Sequence, residues 1–403
     1  MIDGELRRGR ISLAVAFAVQ GAVFALLVTR IPALQDQYGI DDAVLPAFLA
    51  AVPILAGVGS VVAEHAVRRV RPSVLLRWTQ PVVGLALVGA GAGDQMWQAA
   101  VALGAFGLVV GALDASMNML GVSLQRSYGR SIMLGFHGAY SLGGIVGASL
   151  AWVGAHWDLS LAVNYGPAVA VFIPLALVGS RWYVDRAGSG AVPEAEGAGG
   201  LRFRLLLPLC LVMAFAYIGD ATVSNWSAKY LDDVLRSSEE VATVPYNIYM
   251  VTTLLGRVLG DRAVQRYGPP VVLRAGTVVA AAGFAVVAVA PGAGIGIAGF
   301  TLLGFGLCVI VPQTFAAAGR LAAEHGGPEA SDAAVARLNI FNYVGFLVGA
   351  PLVGAVGEAW SYRGAMLIPM ALVCATLVYA GSYGRAGGRY GDGHERARAA
   401  DVG

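Results

Sequence analysis

Apolar segments follow one another along almost the whole of this chain, and each is long enough to cross a lipid bilayer. A helix needs roughly 20 predominantly apolar residues to span the hydrocarbon core. Twelve such segments can be read, at approximately 11–34, 44–66, 73–92, 97–122, 131–153, 161–181, 204–228, 242–261, 270–290, 293–318, 332–356 and 362–384. Only 13% of the residues are charged, against about 25% in soluble proteins, and the mean hydropathy is +0.68. Twelve spans consume most of the 403 residues and leave no room for a soluble catalytic domain. The expected fold class is therefore an all-α integral membrane protein.

The basic residues test this reading, because Lys and Arg accumulate on the cytoplasmic side of a membrane protein. With a cytoplasmic N-terminus, all but four of the 27 basic residues fall on inside segments; Arg30, Lys229, Arg236 and Arg363 remain for the outside. An odd number of spans would scramble that division, so both termini are expected in the cytoplasm of a cell with this plasma (inner) membrane. Arg7, Arg8 and Arg10 precede the first span, which is too long and too poorly followed by small residues for a cleaved signal peptide. The net charge of +2 carries no signal for nucleic acid, since topology accounts for the basic residues. Cys210, Cys308 and Cys374 all lie within apolar spans, a pattern that suggests neither a disulfide framework nor a metal site. No cofactor is implied.

The widest break in the apolar pattern, Asp185 to Gly200, is rich in Gly, Ala, Pro and Glu and reads as a flexible linker. It divides an N-terminal six-helix bundle (1–182) from a C-terminal one (204–384), with 183–203 between them and a Gly- and Arg-rich tail at 385–403. The two halves carry a weak repeat. GRVLGDRAVQRYG, Gly256 to Gly268, follows the eighth span, and GSVVAEHAVRRVR, Gly59 to Arg71, follows the second, 197 residues earlier. The first copy is degraded, with Glu64 as its acid and no closing glycine. In the second copy Gly260 suits a close approach of helices, and Gly268 suits a turn with positive φ. Asp261 supplies an acceptor, and Arg262 and Arg266, four apart, supply planar donor forks. A duplicated six-span unit is the architecture of a two-fold transporter.

With these residues in view the chain resembles the major facilitator superfamily, whose signature loop reads G-x-x-x-(G/A)-D-R-x-G-R-(R/K) after the second and eighth spans. Gly256, Gly260, Asp261, Arg262, Arg266 and Gly268 match its second-half form, and Arg257 lies within it. The branch it looks most like contains the bacterial fucose permease, on RIPAL (Arg30 to Leu34), Asp114 with Asn118, FHGAYSLGG (Phe136 to Gly144) and GDATVSNWSAKYL (Gly219 to Leu231). That branch usually has a glutamate and then an aspartate before the tryptophan in its seventh span; here those positions hold Asp220 and Asn225. The resemblance implies two pseudo-symmetric bundles rocking about a central site, with the loops latching one state. Asp261 would then meet the N-terminus of the fifth span near Ser131, where the helix dipole favours an anion, and Glu64 the start of the eleventh near Ser331.

Ionisable groups inside apolar spans are costly and commonly functional. Asp114, with Asn118 one turn on, is the first proton-coupling candidate, and Gly104, Gly107 and Gly111 continue its stripe for close packing. A structural bond from Asp114 to a partner such as His137 is the competing reading. Asp220 is the second candidate and His137 the third, though a buried histidine bonded to a carbonyl explains the latter equally well. Asn225 and Trp226 suit a sugar, by hydroxyl bonding and ring stacking, or else a membrane-interface cluster. Arg30 is either a snorkelling boundary residue or a gate partner of Asp220. Gln20, Gln313, Asn339, Asn342 and Tyr343 offer uncharged donors and acceptors for a neutral polar solute, or bond among themselves.

The expected function is secondary active transport of a small polar, sugar-like organic solute, coupled to protons and carried out by a monomer. Efflux of drugs or metabolites by the same fold is the alternative, and a non-transporting sensor or scaffold stands behind it. Walker-type ATP use is excluded within the chain, since its single lysine, Lys229, lies between Ala228 and Tyr230 rather than in Gly-Lys-Ser/Thr. Nor is there metal-ligand spacing or a nucleophile–base pair for an enzyme.

Overall fold

The computed structural model describes residues 4–40, 45–185, 203–237, 241 and 244–383. Within them there is no strand. Ten helical segments are long and apolar enough to cross a membrane: α1 Gly4–Thr29, α3 Pro72–Ala92, α4 Met96–Tyr128, α5 Met133–His156, α6 Leu161–Trp182, α7 Phe203–Val234, α9 Pro269–Val289, α10 Ala293–His325, α11 Ala330–Ala359 and α12 Tyr362–Tyr379. Two more helices, α2 Leu45–Ala66 and α8 Val244–Tyr267, complete twelve. Charge lowers the average hydropathy of α8, which carries Arg257, Asp261, Arg262 and Arg266, whereas α2 is apolar up to Glu64 and His65 near its end. A short helix, Ile31–Tyr38, follows α1. The expected linker residues 186–202 and the tail from Arg385 lie outside the described residues.

Several helices outrun the bilayer. At 33 residues α4 continues to Tyr128, well past the expected end at 122, because a helix of that length spans about 50 Å against a core of about 30 Å. The backbone from Ile310 to Ala359 is helical throughout, so the loop expected between the tenth and eleventh spans is itself helical. Trp97, Trp157, Trp182 and Trp360 are exposed at helix ends, with Trp78 and Trp152 a turn or two inside. That is where an amphipathic ring meets the bilayer boundary.

The repeat seen in one loop extends to packing. α3 and α9 both begin with proline at the first turn, Pro72 and Pro269, where the missing N–H costs nothing. Ahead of Pro269 Gly268 has φ +82°, as its glycine requires. α6 is capped by Ser160, whose Oγ accepts from Val163 N, and α12 by Ser361, whose Oγ accepts from Gly364 N. Between α2 and α4 a Cβ added at Gly107 would lie 2.7 Å from the Val52 carbonyl oxygen; between α8 and α10, one at Gly304 would lie 2.6 Å from that of Tyr249. Gly107 and Gly304 are 197 residues apart, as are Val52 and Tyr249. The same happens between α1 and α5, with Gly143 on Ala18, and between α7 and α11, with Gly345 on Ala214. Lipid supplies no hydrophobic drive between helices, so small residues that let backbones touch hold such bundles together.

The chain forms two compact units. One comprises residues 1–124, 136–200 and 326–344, the other 125–135, 201–325 and 345–403. Each therefore contains a short stretch from the opposite half of the sequence, and the functional contacts described next lie inside one unit or the other.

Candidate functional site

In the first unit a polar ladder joins α2 and α4 to the early part of α11. Arg337 pairs with Glu64 through Nη2 and Oε1. Asn339 Nδ2 donates to Ser60 Oγ at 3.0 Å, and Asn342 Nδ2 to Asn339 Oδ1 at 3.3 Å. The Tyr343 hydroxyl donates to Asp114 Oδ2. The expected polar face of α11 thus exists, with Asn339 fully buried. Ser60 bonds the Ala56 and Gly111 carbonyls, which fastens the ladder to the glycine contact between α2 and α4. Asn118 Nδ2 donates to the Asp114 carbonyl at 2.9 Å, and its Oδ1 is buried without a partner.

Two sequence expectations change here. Glu64 was expected near Ser331; it meets Arg337 instead, six residues further along α11. Asp114 was weighed against His137 as a structural partner, and its partner is Tyr343. His137 is buried on α5 with its ring 5.5 Å from that of Phe17. Gln20 is buried on α1. Arg30 donates from Nη2 to the Leu159 carbonyl at 2.9 Å and is buried, so it is no snorkelling boundary residue.

In the second unit Asp261 sits on the start of α5, as the resemblance implied. Its Oδ1 accepts from Ser131 Oγ at 2.7 Å and from Leu134 N at 3.3 Å, and its Oδ2 from Gly135 N at 2.8 Å. Gln125 Oε1 takes the two preceding amides, Ile132 N and Met133 N, at 2.9 and 3.0 Å. A helix N-terminus leaves four N–H groups without intrahelical acceptors; here a carboxylate and a carboxamide satisfy all four. Gln265 Nε2 ties the same turn to α8 by donating to the Ser131 carbonyl. Gly260 makes the approach possible, since a Cβ there would lie 2.3 Å from Leu134 Cδ2. Gly256 packs on the Cys308 thiol. Arg262 and Arg266 follow on the last turns of α8, with the Arg266 guanidinium 5.3 Å from the Tyr267 ring centroid.

A second charged centre lies deeper in the same unit. The Tyr249 hydroxyl of α8 donates to Asp220 Oδ1 of α7, and Arg257, two turns on from Tyr249, is the cation in Asp220's electrostatic surroundings. Arg257 thus contributes to the field at an intramembrane acid, although the sequence grouped it with the loop. Trp226 is held in helix packing: Nε1 donates to the Ala350 carbonyl at 3.0 Å, the ring lies 5.3 Å from Tyr362, and Gly354 makes room for it. Asn225 is exposed and bonds the Ala221 carbonyl. Gln313 is fully buried with neither amide atom partnered. The hydroxyls of Tyr183 and Tyr383, just beyond α6 and α12, are pushed up from the usual phenol range by burial.

Sequence reasoning missed Tyr249, Arg337, Ser60 and Gln125 as parts of these centres. Arg337 was detectable as a cation within an apolar run, and Tyr249 as a polar group on the Arg257 face of α8. Nothing in the sequence marks Gln125, whose role depends on the loop folding back.

Twelve helices with an internal repeat, acids within apolar helices and a carboxylate-capped helix start define a polytopic membrane protein of transporter type. Residues 209–387 match the family model described as Major Facilitator Superfamily. An uncharacterized MFS-type transporter of Yersinia pestis is 28% identical over 363 residues, covering 87% of this chain and 89% of its own. The crystal structure of the MFS transporter FucP in the outward conformation superposes with a TM-score of 0.78 at 15% identity, covering 93% of this chain and 98% of that one. That of the E. coli fucose:proton symporter FucP (N162A) gives 0.73 at 14% identity, with the same coverage. In residues 209–387 the chain is thus similar to the Major Facilitator Superfamily, and by that likeness and its fold it is a multi-pass membrane transporter rather than an enzyme.

Proposed function

We propose that the protein is a proton-coupled secondary transporter of a small polar, sugar-like solute, working as a monomer in the inner membrane with both termini cytoplasmic. The observation that carries this reading is the Tyr343–Asp114 hydrogen bond, which ties an intramembrane acid to the polar face of α11. That face also carries Asn339 and Asn342, donors and acceptors suited to hydroxyls. The fold shared with a fucose:proton symporter supports the same assignment.

The two intramembrane acids then divide the work. Asp220 has a phenol donor and a cation, Arg257, in its surroundings, contacts that favour a charged carboxylate against its burial, and its proposed role is that of a fixed charge. Asp114 has Tyr343 and no ion pair among the described residues. Proton uptake at Asp114 removes an isolated charge from the membrane interior, where charge is costly, and so lowers the barrier to rocking of the halves 1–182 and 204–384. Asp261 on the α5 terminus and Glu64 on Arg337 are the latches of one of the two states, released in the other.

The test is uptake into proteoliposomes of a panel of sugars and sugar acids, with and without a proton gradient. Asp114→Asn is expected to abolish gradient-driven accumulation while sparing counterflow exchange. Unchanged accumulation removes Asp114 from the mechanism, and gradient-driven export in place of uptake replaces the uptake reading by efflux.

A further inference from the structure

Arg30 occupies the single non-helical position between α1 and the short helix Ile31–Tyr38. Its side chain turns into the first unit, leaving the residue 8% exposed. Beyond the bond from Nη2 to Leu159, its Nε is buried without an acceptor, and no carboxylate pairs with it among the described residues. An ion taken out of water without a counter-charge is strongly disfavoured, which is why buried charges are paired.

A second donor waits beside it. Tyr165 of α6 is 0% exposed and its hydroxyl has no partner among the described residues, and the charged and phenolic groups in its surroundings are Arg30 and Tyr38. The surroundings are rigid. Gly91 packs on the Tyr165 ring, with an added Cβ only 2.9 Å from Cδ2. The Tyr38 hydroxyl donates to the Ala90 carbonyl at 2.8 Å and accepts from Gly93 N at 3.1 Å, so it is already satisfied. Among the described residues, therefore, the guanidinium has one carbonyl but no counter-charge, and its Nε and the Tyr165 hydroxyl have no acceptor. One missing component, a small acceptor bearing a negative charge, would satisfy both donors and neutralise the guanidinium.

We propose that Arg30 and Tyr165 form a binding site for a small monoanion, either an inorganic halide or a carboxylate group. The site is separate from the Asp114 ladder and does not depend on which solute is carried. Arg30 supplies the counter-charge, and Tyr165 fixes the position of the anion with a neutral hydrogen bond.

Full-length protein in nanodiscs of zwitterionic lipid tests this by thermal unfolding, followed by tryptophan fluorescence. Chloride, bromide and acetate are titrated separately against sodium isethionate at constant ionic strength. The expected result is saturable stabilisation by at least one of the three. Tyr165→Phe moves its midpoint to about tenfold higher concentration, the worth of a hydrogen bond to a charged group, and Arg30→Gln abolishes it. A response to halides alone identifies an inorganic ion, and one to acetate alone a carboxylate; both support the site. No saturable response to any of the three, or an unchanged midpoint in Tyr165→Phe, overturns it. Should Arg30→Gln fail to fold, Tyr165→Phe, which removes one oxygen, carries the test.

Discussion

Replacing Asp261 by Asn preserves the side chain's shape and one acceptor but removes its charge from the start of α5. The carboxylate accepts two short bonds, from Ser131 Oγ at 2.7 Å and Gly135 N at 2.8 Å, and a longer one from Leu134 N at 3.3 Å. Hydrogen bonds to charged groups contribute about 1.5–3 kcal/mol each, and an anion at a helix N-terminus about 0.3–1 kcal/mol more. The amide retains part of the first contribution and loses the second, so a net loss of about 2 kcal/mol follows. At 1.4 kcal/mol per tenfold, the open form of this contact becomes about thirty times more populated. Hydrogen exchange read by mass spectrometry at single-residue resolution reports that population directly. The Leu134 and Gly135 amides of Asp261→Asn should exchange about thirty-fold faster than in the wild type, by the same conversion. Ile132 and Met133, bonded to Gln125 instead, should change less and serve as an internal control. If protection at Leu134 and Gly135 stays within about threefold of wild type, a difference well under 1 kcal/mol, Asp261 is not what holds this turn.

Other outcomes follow from the packing. Gly111→Ala places a Cβ 1.8 Å from the Ala56 carbonyl oxygen, whereas at Gly104 the nearest atom is a Leu55 methyl at 3.5 Å. The first variant should lose about 1–3 kcal/mol or more of stability to overpacking and the second almost none, as measured by thermal unfolding in the same detergent. Trp226→Phe deletes the bond to the Ala350 carbonyl and should lower stability by about 1 kcal/mol while leaving KM for transport unchanged; a raised KM at full stability would return Trp226 to the substrate site. Exchanging Asp220 for Asn removes the charge that accepts from the Tyr249 hydroxyl and is expected to lower stability by about 1.5–3 kcal/mol, the worth of a hydrogen bond to a charged group; an unchanged thermal unfolding midpoint would contradict a fixed charge at Asp220.

Much of this molecule can be read from its residues in order. Hydropathy is summed along the chain, so the spans were found without knowing which neighbours they touch. Gly268 and Pro269 mark a turn and a helix start whatever lies around them, and they fell where the motif required. The contact of Asp261 with the start of α5 was expected from the family resemblance, and a helix terminus, which favours an anion, supplies its physical reason. Glu64 shows where such reasoning stops. Its position matches Asp261 at the 197-residue offset, yet it pairs with Arg337, because a guanidinium within reach outbids a helix terminus. Trp226 likewise reads as a binding residue by type, but its depth beside Gly354 commits the ring to packing.

Twelve helices, their polar interruptions and an internal duplication were thus set by sequence alone, since each depends on local composition or on a repeat along the chain. Which acid meets which partner was decided only in three dimensions: Asp114 with Tyr343, Asp220 with Tyr249 and Arg257, and Arg30 turned inward toward Tyr165. The reason is geometric. A side chain's partner depends on the rotation and depth of its helix against a neighbour tens to hundreds of residues away, and glycine contacts between backbones fix both quantities without leaving a trace at the polar positions themselves.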